Sequence, residues 1–295
     1  MLELSEISKE KICSITSDNN ETVISTNKSL YFLSHEIKPL DFYATDITRI
    51  ALHNKMIAFI SQNILYAIDI RTNQLLIIDE NINVFRFRCI SIYKNYIVTA
   101  DIKGDVQLYI LEEDIFDKKE NKTQIKKHKI HVEYKNGRKI KNTKKNIKFG
   151  NTEILQIKII EDKIYSISVG GTLVIYEISK NKIKRKHFEK NLISLYILDD
   201  IIYIGNRKGK IYIIENKKET KVNLSSEPIE ELSYFKNNLY CITEGFVTRF
   251  NLKGYKKTYG TLYAVPKYIF TYKDCVHCYS SNIGLMMLED RSEER

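Results

Sequence analysis

A recurring unit of two short β-runs joined by a turn most constrains what this chain can fold into. The unit reads KNYIVTADIKGDVQLYIL at 94–111, DKIYSISVGGTLVIYEI at 162–178 and DIIYIGNRKGKIYII at 200–214, with looser copies at 21–33, 54–70, 237–252 and 273–288. Each copy opens on a small polar turn, such as Lys94-Asn95, Asp199-Asp200 or Asn237-Asn238. An apolar strand rich in Ile, Val and Tyr follows, and a hairpin such as Lys103-Gly104, Gly170-Gly171 or Lys208-Gly209 turns the chain back. Branched and aromatic side chains bounded by Gly and Asn turns are the grammar of buried β-hairpins.

The spacing of these units sets the architecture. Their first apolar residues are Val23, Met56, Tyr96, Ile164, Ile201, Leu239 and Val276, and five of the six intervals fall between 33 and 40 residues. The exception, Tyr96 to Ile164, spans 68 residues and returns to the common period if about 30 are taken as an insertion. Seven copies at this period predict an all-β fold, a single seven-bladed, WD-repeat-like β-propeller over 1–295 with four antiparallel strands per blade. Helical periodicity is almost absent, which argues against an α/β chain. The signature Gly-His and Trp-Asp dipeptides of WD repeats are missing, and the chain has no Trp, so this reading rests on period and strand grammar.

Charge is concentrated where the period breaks. The chain carries a net charge of +10, and residues 117–149 alone hold twelve Lys and Arg138 against Asp117, Glu120 and Glu133, the whole excess. The remainder is neutral, so one segment between blades makes the protein basic. Lys135, Arg138, Lys139, Lys141, Lys144, Lys145 and Lys148, with Tyr134 interleaved, suit phosphate neutralisation and stacking on RNA. The same composition also suits a solvated insertion, and both readings stand at this point. A short polar tail closes the chain at 289–295.

Little else carries chemistry. Cys275-Val276-His277-Cys278 is the one tight Cys/His cluster, but it has no second pair at zinc spacing and falls in a strand of the last repeat, so no metal is expected. Phosphate-loop, HExxH, GxSxG and dinucleotide motifs are absent. The glycines of 170–171 and 205–209 belong to hairpins, and acid pairs such as Glu112-Glu113, Asp199-Asp200 and Glu230-Glu231 fall at turns or strand ends. An enzyme built on the central channel would need His or acidic residues recurring on inner strands, and the six histidines show no such recurrence. The chain is therefore expected to be non-catalytic and without a cofactor. Five scattered cysteines fit reduced thiols. A start rich in Glu with no apolar core predicts an intracellular, soluble protein.

Two stretches resemble one family in order and spacing. Residues 68–109 contain Arg71-Thr72, Arg86-Phe87-Arg88-Cys89 and Thr99-Ala100-Asp101-Ile102-Lys103-Gly104-Asp105-Val106. Residues 128–157 contain Lys129-Ile130-His131-Val132-Glu133 and Phe149-Gly150-Asn151-Thr152-Glu153-Ile154-Leu155. Together, over about 70 residues, they resemble the non-catalytic WD-repeat subunit of the tRNA (guanine-46-N7) methyltransferase. His131 stands where that family has Arg, Asn151 where it has His, and a propeller unit usual between the stretches is reduced to 112–127.

The resemblance implies a nuclear subunit that clasps a separate catalytic subunit, which binds S-adenosylmethionine, and helps hold tRNA for modification. It assigns Lys129 and His131 to the partner interface, with Lys103 and Glu153 close by, and puts the basic spacer near the groove between partner and tRNA. A protein-interaction scaffold in another nuclear RNA–protein or ribosome-biogenesis assembly is the alternative.

Overall fold

The computed structural model describes residues 4–7, 9–18, 21–27, 29–40, 47, 49–80, 82, 87–111, 138–139, 142–189, 191–243, 245–250, 256–260, 265–273 and 275–288. They form seven antiparallel sheets arranged as blades in a ring. The first strands, Ile12–Asp18, Arg49–His53, Phe87–Tyr93, Ile154–Ile160, Leu192–Leu198, Glu231–Phe235 and Pro266–Tyr272, each touch the next, and the last returns to the first. They line the axis.

Each strand position has its own character. The second strands, Glu21–Thr26, Met56–Ser61, Tyr96–Asp101, Lys163–Ser168, Ile201–Asn206, Asn238–Thr243 and Cys275–Ser280, are almost continuously buried. Packed between neighbouring blades on both faces, they need apolar groups at successive positions, as continuous apolar runs do. Third strands such as Thr172–Glu177 pair with them in register. The fourth strands lie toward the rim, and those of blades 4 and 5 are polar, KIKRKH at Lys182–His187 and KETKVN at Lys218–Asn223, whereas QLLIID at Gln74–Asp79 of blade 2 is largely buried. Lysines on such edges discourage pairing with another chain. Seven apolar clusters, one at each blade–blade interface among the described residues, make up the core.

A buried polar residue ends every second strand: Thr26, Ser61, Asp101, Ser168, Asn206, Thr243 and Ser280. At Thr26, Asp101, Ser168, Asn206 and Ser280 the short side chain ties down the turn that follows. Asp101 Oδ1 accepts the Lys103 and Asp105 amides at 2.8 Å each, and Asn206 Oδ1 accepts those of Lys208 and Lys210 at 3.0 and 2.9 Å. A buried polar group must be partnered, and here the partners are backbone amides of the tight turn. Glycine completes the device at Gly209, where φ is +69° and a Cβ would lie 2.0 Å from the Ser225 carbonyl oxygen.

The ring closes by packing between blades 7 and 1. Ile7, in the short helix Leu4–Ile7, is buried with Ile12, Phe270 and Tyr272. The Tyr268 hydroxyl donates to the Cys13 carbonyl at 3.0 Å, and Thr22 Oγ1 to that of Thr271 at 2.7 Å. Three strands of blade 7 fall among the described residues.

The basic insertion differs from expectation in one respect. It interrupts blade 3 rather than joining two blades. The third strand Asp105–Leu111 pairs with Asn142–Lys148, so the end of the basic segment is that blade's own outer strand. Just before it, Arg138 and Lys139 pair in parallel with Leu76 and Ile77 on the rim of blade 2. The apolar anchors Ile147 and Phe149, buried among blade 3 and 4 residues, explain why a lysine-rich run becomes a strand.

Candidate interaction site

On one face of the ring the connection from blade 3 to blade 4 runs between two hairpin turns. Phe149 N donates to the Gly104 carbonyl at 3.0 Å, and Val169 N to that of Glu153 at 3.0 Å. Gly104, at φ +78°, has the Gly150 oxygen 2.6 Å from where its Cβ would be. Segment 149–153 is thus wedged between the turn carrying Lys103 and the turn carrying Val169. Two of the residues assigned by resemblance to the partner interface come together here. Lys103 is exposed, and Glu153 is one-third exposed and paired to Arg88 at 3.2 Å.

The other assigned residues divide. Lys129, His131, Tyr134, Lys135 and Lys141, and the reduced unit at 112–127, lie outside the described residues. Arg138 and Lys139 are described only as strand backbone. Lys144, Lys145 and Lys148 are engaged within the propeller. Lys144 Nζ meets Asp79 at 2.6 Å over the Tyr109 ring. Lys145 Nζ donates to the Tyr176 hydroxyl at 2.7 Å and to Asn181 at 2.8 Å. Lys148 pairs with Asp105 at 2.8 Å and donates to the Lys103 carbonyl. Outer strands of blades 4 and 5 follow suit. Glu177 binds Lys184 and Lys180, and Glu189 is met by Lys221, Lys210 and Lys208. Hydrogen bonds from Lys184 and from Lys221 hold these two carboxyls down at about 2.

Cys275-Val276-His277-Cys278 forms the second strand of blade 7. Residues three apart on a strand project to opposite faces, so its two thiols do not converge. His277 is buried against Phe270 at 5.3 Å, and burial pushes the Cys278 thiol up to about 11. Among the described residues, no His/Cys/Asp/Glu group could hold a metal ion, and no helix is long and apolar enough to cross a membrane.

A set of charges near the axis escaped the sequence reading. Lys158, Glu231 and Asp18 sit on the inner strands of blades 4, 6 and 1, yet each feels the field of Lys158 or is felt by it. Those blades are not neighbours, so the interaction acts through the field across the channel. Burial pushes Glu231 up to about 8 against the pull of Lys158 and of the Ile269 amide, and pushes Lys158 down. Burial also raises Asp18, but hydrogen bonds from His53 and the Asn54 amide outweigh it and hold the carboxyl low. No motif could have flagged three residues drawn singly from three repeats.

No family model and no curated protein matches the sequence. The WD40 β-propeller domain of Doa1 superposes with a TM-score of 0.66, covering 96% of this chain and 94% of its own at 9% identity. The fold is that of a WD40 β-propeller. The computationally designed protein Ika8 superposes with a TM-score of 0.68 at 12% identity, over 95% of this chain and 83% of its own. The seven-bladed expectation thus holds.

Proposed function

We propose that this chain is the non-catalytic subunit of a tRNA (guanine-N7) methyltransferase, holding a catalytic subunit that binds S-adenosylmethionine and helping to position tRNA in the nucleus. The observation that carries the reading is the convergence of the Lys103 turn with the 149–153 connection, two elements separated in sequence by the basic insertion. The resemblance drew its residues from both. Partner contact would involve Lys103, Glu153, Lys129 and His131. Because Lys144, Lys145 and Lys148 are held by the propeller, tRNA phosphates would be met by Lys135, Arg138, Lys139 and Lys141, which position without reading sequence.

The test is co-expression with the N7 methyltransferase subunit of the same organism, purification through a tag on one chain, and assay of methyl transfer to tRNA. Co-purification with activity that depends on this chain is expected. Failure to co-purify, with activity indifferent to the chain, would overturn the reading in favour of a scaffold in another assembly. Lys129→Glu with His131→Glu should weaken the complex without lowering the propeller's melting temperature.

A further inference from the structure

Beside the 149–153 connection, the face of blade 4 turned toward blade 3 opens into a cleft of about 240 Å³. Its polar lining includes Thr152, Ser166, Ser168, Thr172, Arg185 and His187, with Phe149, Ile154 and Val174 as floor, and no carboxylate lines it among the described residues. Strand register brings these groups together. Ser166 lies beside Val174, Val174 beside Arg185, and Thr172 beside His187. Thr172 Oγ1 and His187 Nδ1 are 3.0 Å apart, and Ser168 Oγ accepts the Thr172 amide at 3.4 Å. Arg185 leans in, its Nε donating to the Phe149 carbonyl at 3.4 Å. Its two terminal nitrogens have no partner among the described residues, whereas lysines 184 and 186 on the same strand are paired with Glu177 and Glu219.

A guanidinium, an imidazole and several hydroxyls around one hollow, with no negative charge, match an anion with several acceptor oxygens. A phosphate monoester offers three and pairs with arginine through a fork of N–H donors. The rim says what carries it. Val169 and Ile102, 45% and 37% exposed, stand on the turns that flank the 149–153 connection. The same face bears exposed Phe246, Val265 and Ile283. Turns on the opposite face are built from Asn54-Lys55, Asp199-Asp200 and Lys236-Asn237; the remaining large exposed apolar residue among those described, Met287, lies on the strand Gly284–Leu288 of blade 7 rather than on a turn. Beside the hollow itself the exposed apolar side chains are aliphatic, which suits a peptide; single-stranded RNA would stack on exposed rings, and Phe246 on this face stands on blade 6, away from the cleft.

We propose that this cleft receives the phosphate of a phosphorylated serine or threonine on a protein partner, with an apolar neighbour of that residue resting on Val169. The inference stands apart from the methyltransferase reading, which needs neither Arg185 nor His187. Its test is titration of the full chain, labelled with ¹⁵N-arginine, by acetyl-Val-phosphoSer-Val-amide, following the Arg185 Nε–H signal identified by its loss in Arg185→Lys. A saturable shift is expected, absent with the unphosphorylated peptide. Binding should weaken by about tenfold in Thr172→Val and further in Arg185→Ala, and the Gly-phosphoSer-Gly peptide should bind more weakly. No saturable shift would overturn the proposal. Inorganic phosphate binding as tightly as the peptide would make the cleft a free-anion site, and tighter binding of uridine monophosphate would make it an RNA site; either result also overturns it.

Discussion

Replacing Glu231 by glutamine should stabilise the propeller at neutral pH and leave it unchanged in acid. Burial on the inner strand of blade 6 pushes this carboxyl from its usual 4.5 up to about 8, with Lys158 and the Ile269 amide only partly opposing it. The folded value lies above the unfolded one. Its contribution to stability is therefore fully present below about pH 4.5 and is lost as pH rises through about 8. At pH 7 the folded chain keeps its proton while the unfolded chain gives one up, which favours unfolding by roughly 2.5 pKa units or about 3 kcal/mol. Glutamine has the shape of the protonated acid and no proton to release. Urea unfolding of both proteins should give overlapping curves near pH 4 and a gap of about 3 kcal/mol near pH 7. In that range Lys158 loses little, because Glu231 is still mostly neutral in the wild type. A gap independent of pH, or a glutamine variant less stable at pH 7 than at pH 4 relative to wild type, would refute the placement of Glu231 in a desolvated channel.

Other expectations concern the turns and the rim. Gly209→Ala should cost about 3 kcal/mol or more, because its Cβ would overlap the Ser225 carbonyl, whereas Gly245→Ala, with φ +77° and open space around it, should cost only about 1–2 kcal/mol of left-handed strain; equal losses in thermal melts would show the close approach is not real. Asn206→Ala should destabilise by about 2 kcal/mol, since two turn amides lose their acceptor, measured by urea unfolding. Glu189, held at about 2 chiefly by Lys221, contributes above about pH 4.5 and loses that contribution as pH falls through its folded value. In Lys221→Met its carboxyl should titrate nearer the usual range, as read by ¹³C NMR.

The architecture was legible because the second strands announce it. Val23, Met56, Tyr96, Ile164, Ile201, Leu239 and Val276 all fall on those strands, whose burial on two faces forces unbroken apolar runs. The fourth strands were harder to see for the opposite reason. KIKRKH and KETKVN face solvent along one edge and read as loops until the register to Thr172–Glu177 and Lys210–Glu215 is known. The same blindness placed 117–149 between blades. NTKKNIK looks like an insertion, yet Ile147 pins it to blade 3. The polar residue that ends each second strand was equally periodic, but its chemistry varies among Thr, Ser, Asp and Asn, so the repeat shows only once burial is known. Of the assigned site, the meeting of Lys103 with Glu153 follows from adjacent blades. The axial charges and the Arg185 cleft do not, because each gathers residues from separate strands.

The basic residues therefore belong to two physically different populations. Lysines on the outer strands of blades 3 to 5 face carboxylates at fixed distances, as Lys144 does Asp79, Lys186 does Glu219 and Lys221 does Glu189. Such cations have already exchanged water for a protein partner, and giving them to a phosphate would strand an acid. They add little to the salt dependence of RNA binding, which counts the phosphates neutralised and counterions released. If tRNA is bound, the slope of log affinity against log salt should fall when Lys135, Arg138, Lys139 and Lys141 become glutamine. It should hold when Lys144 and Lys148, each paired with a carboxylate, do. A slope that responds equally to both sets would mean the ion pairs at the rim open on binding, and would make the whole basic edge of blade 3 the RNA surface.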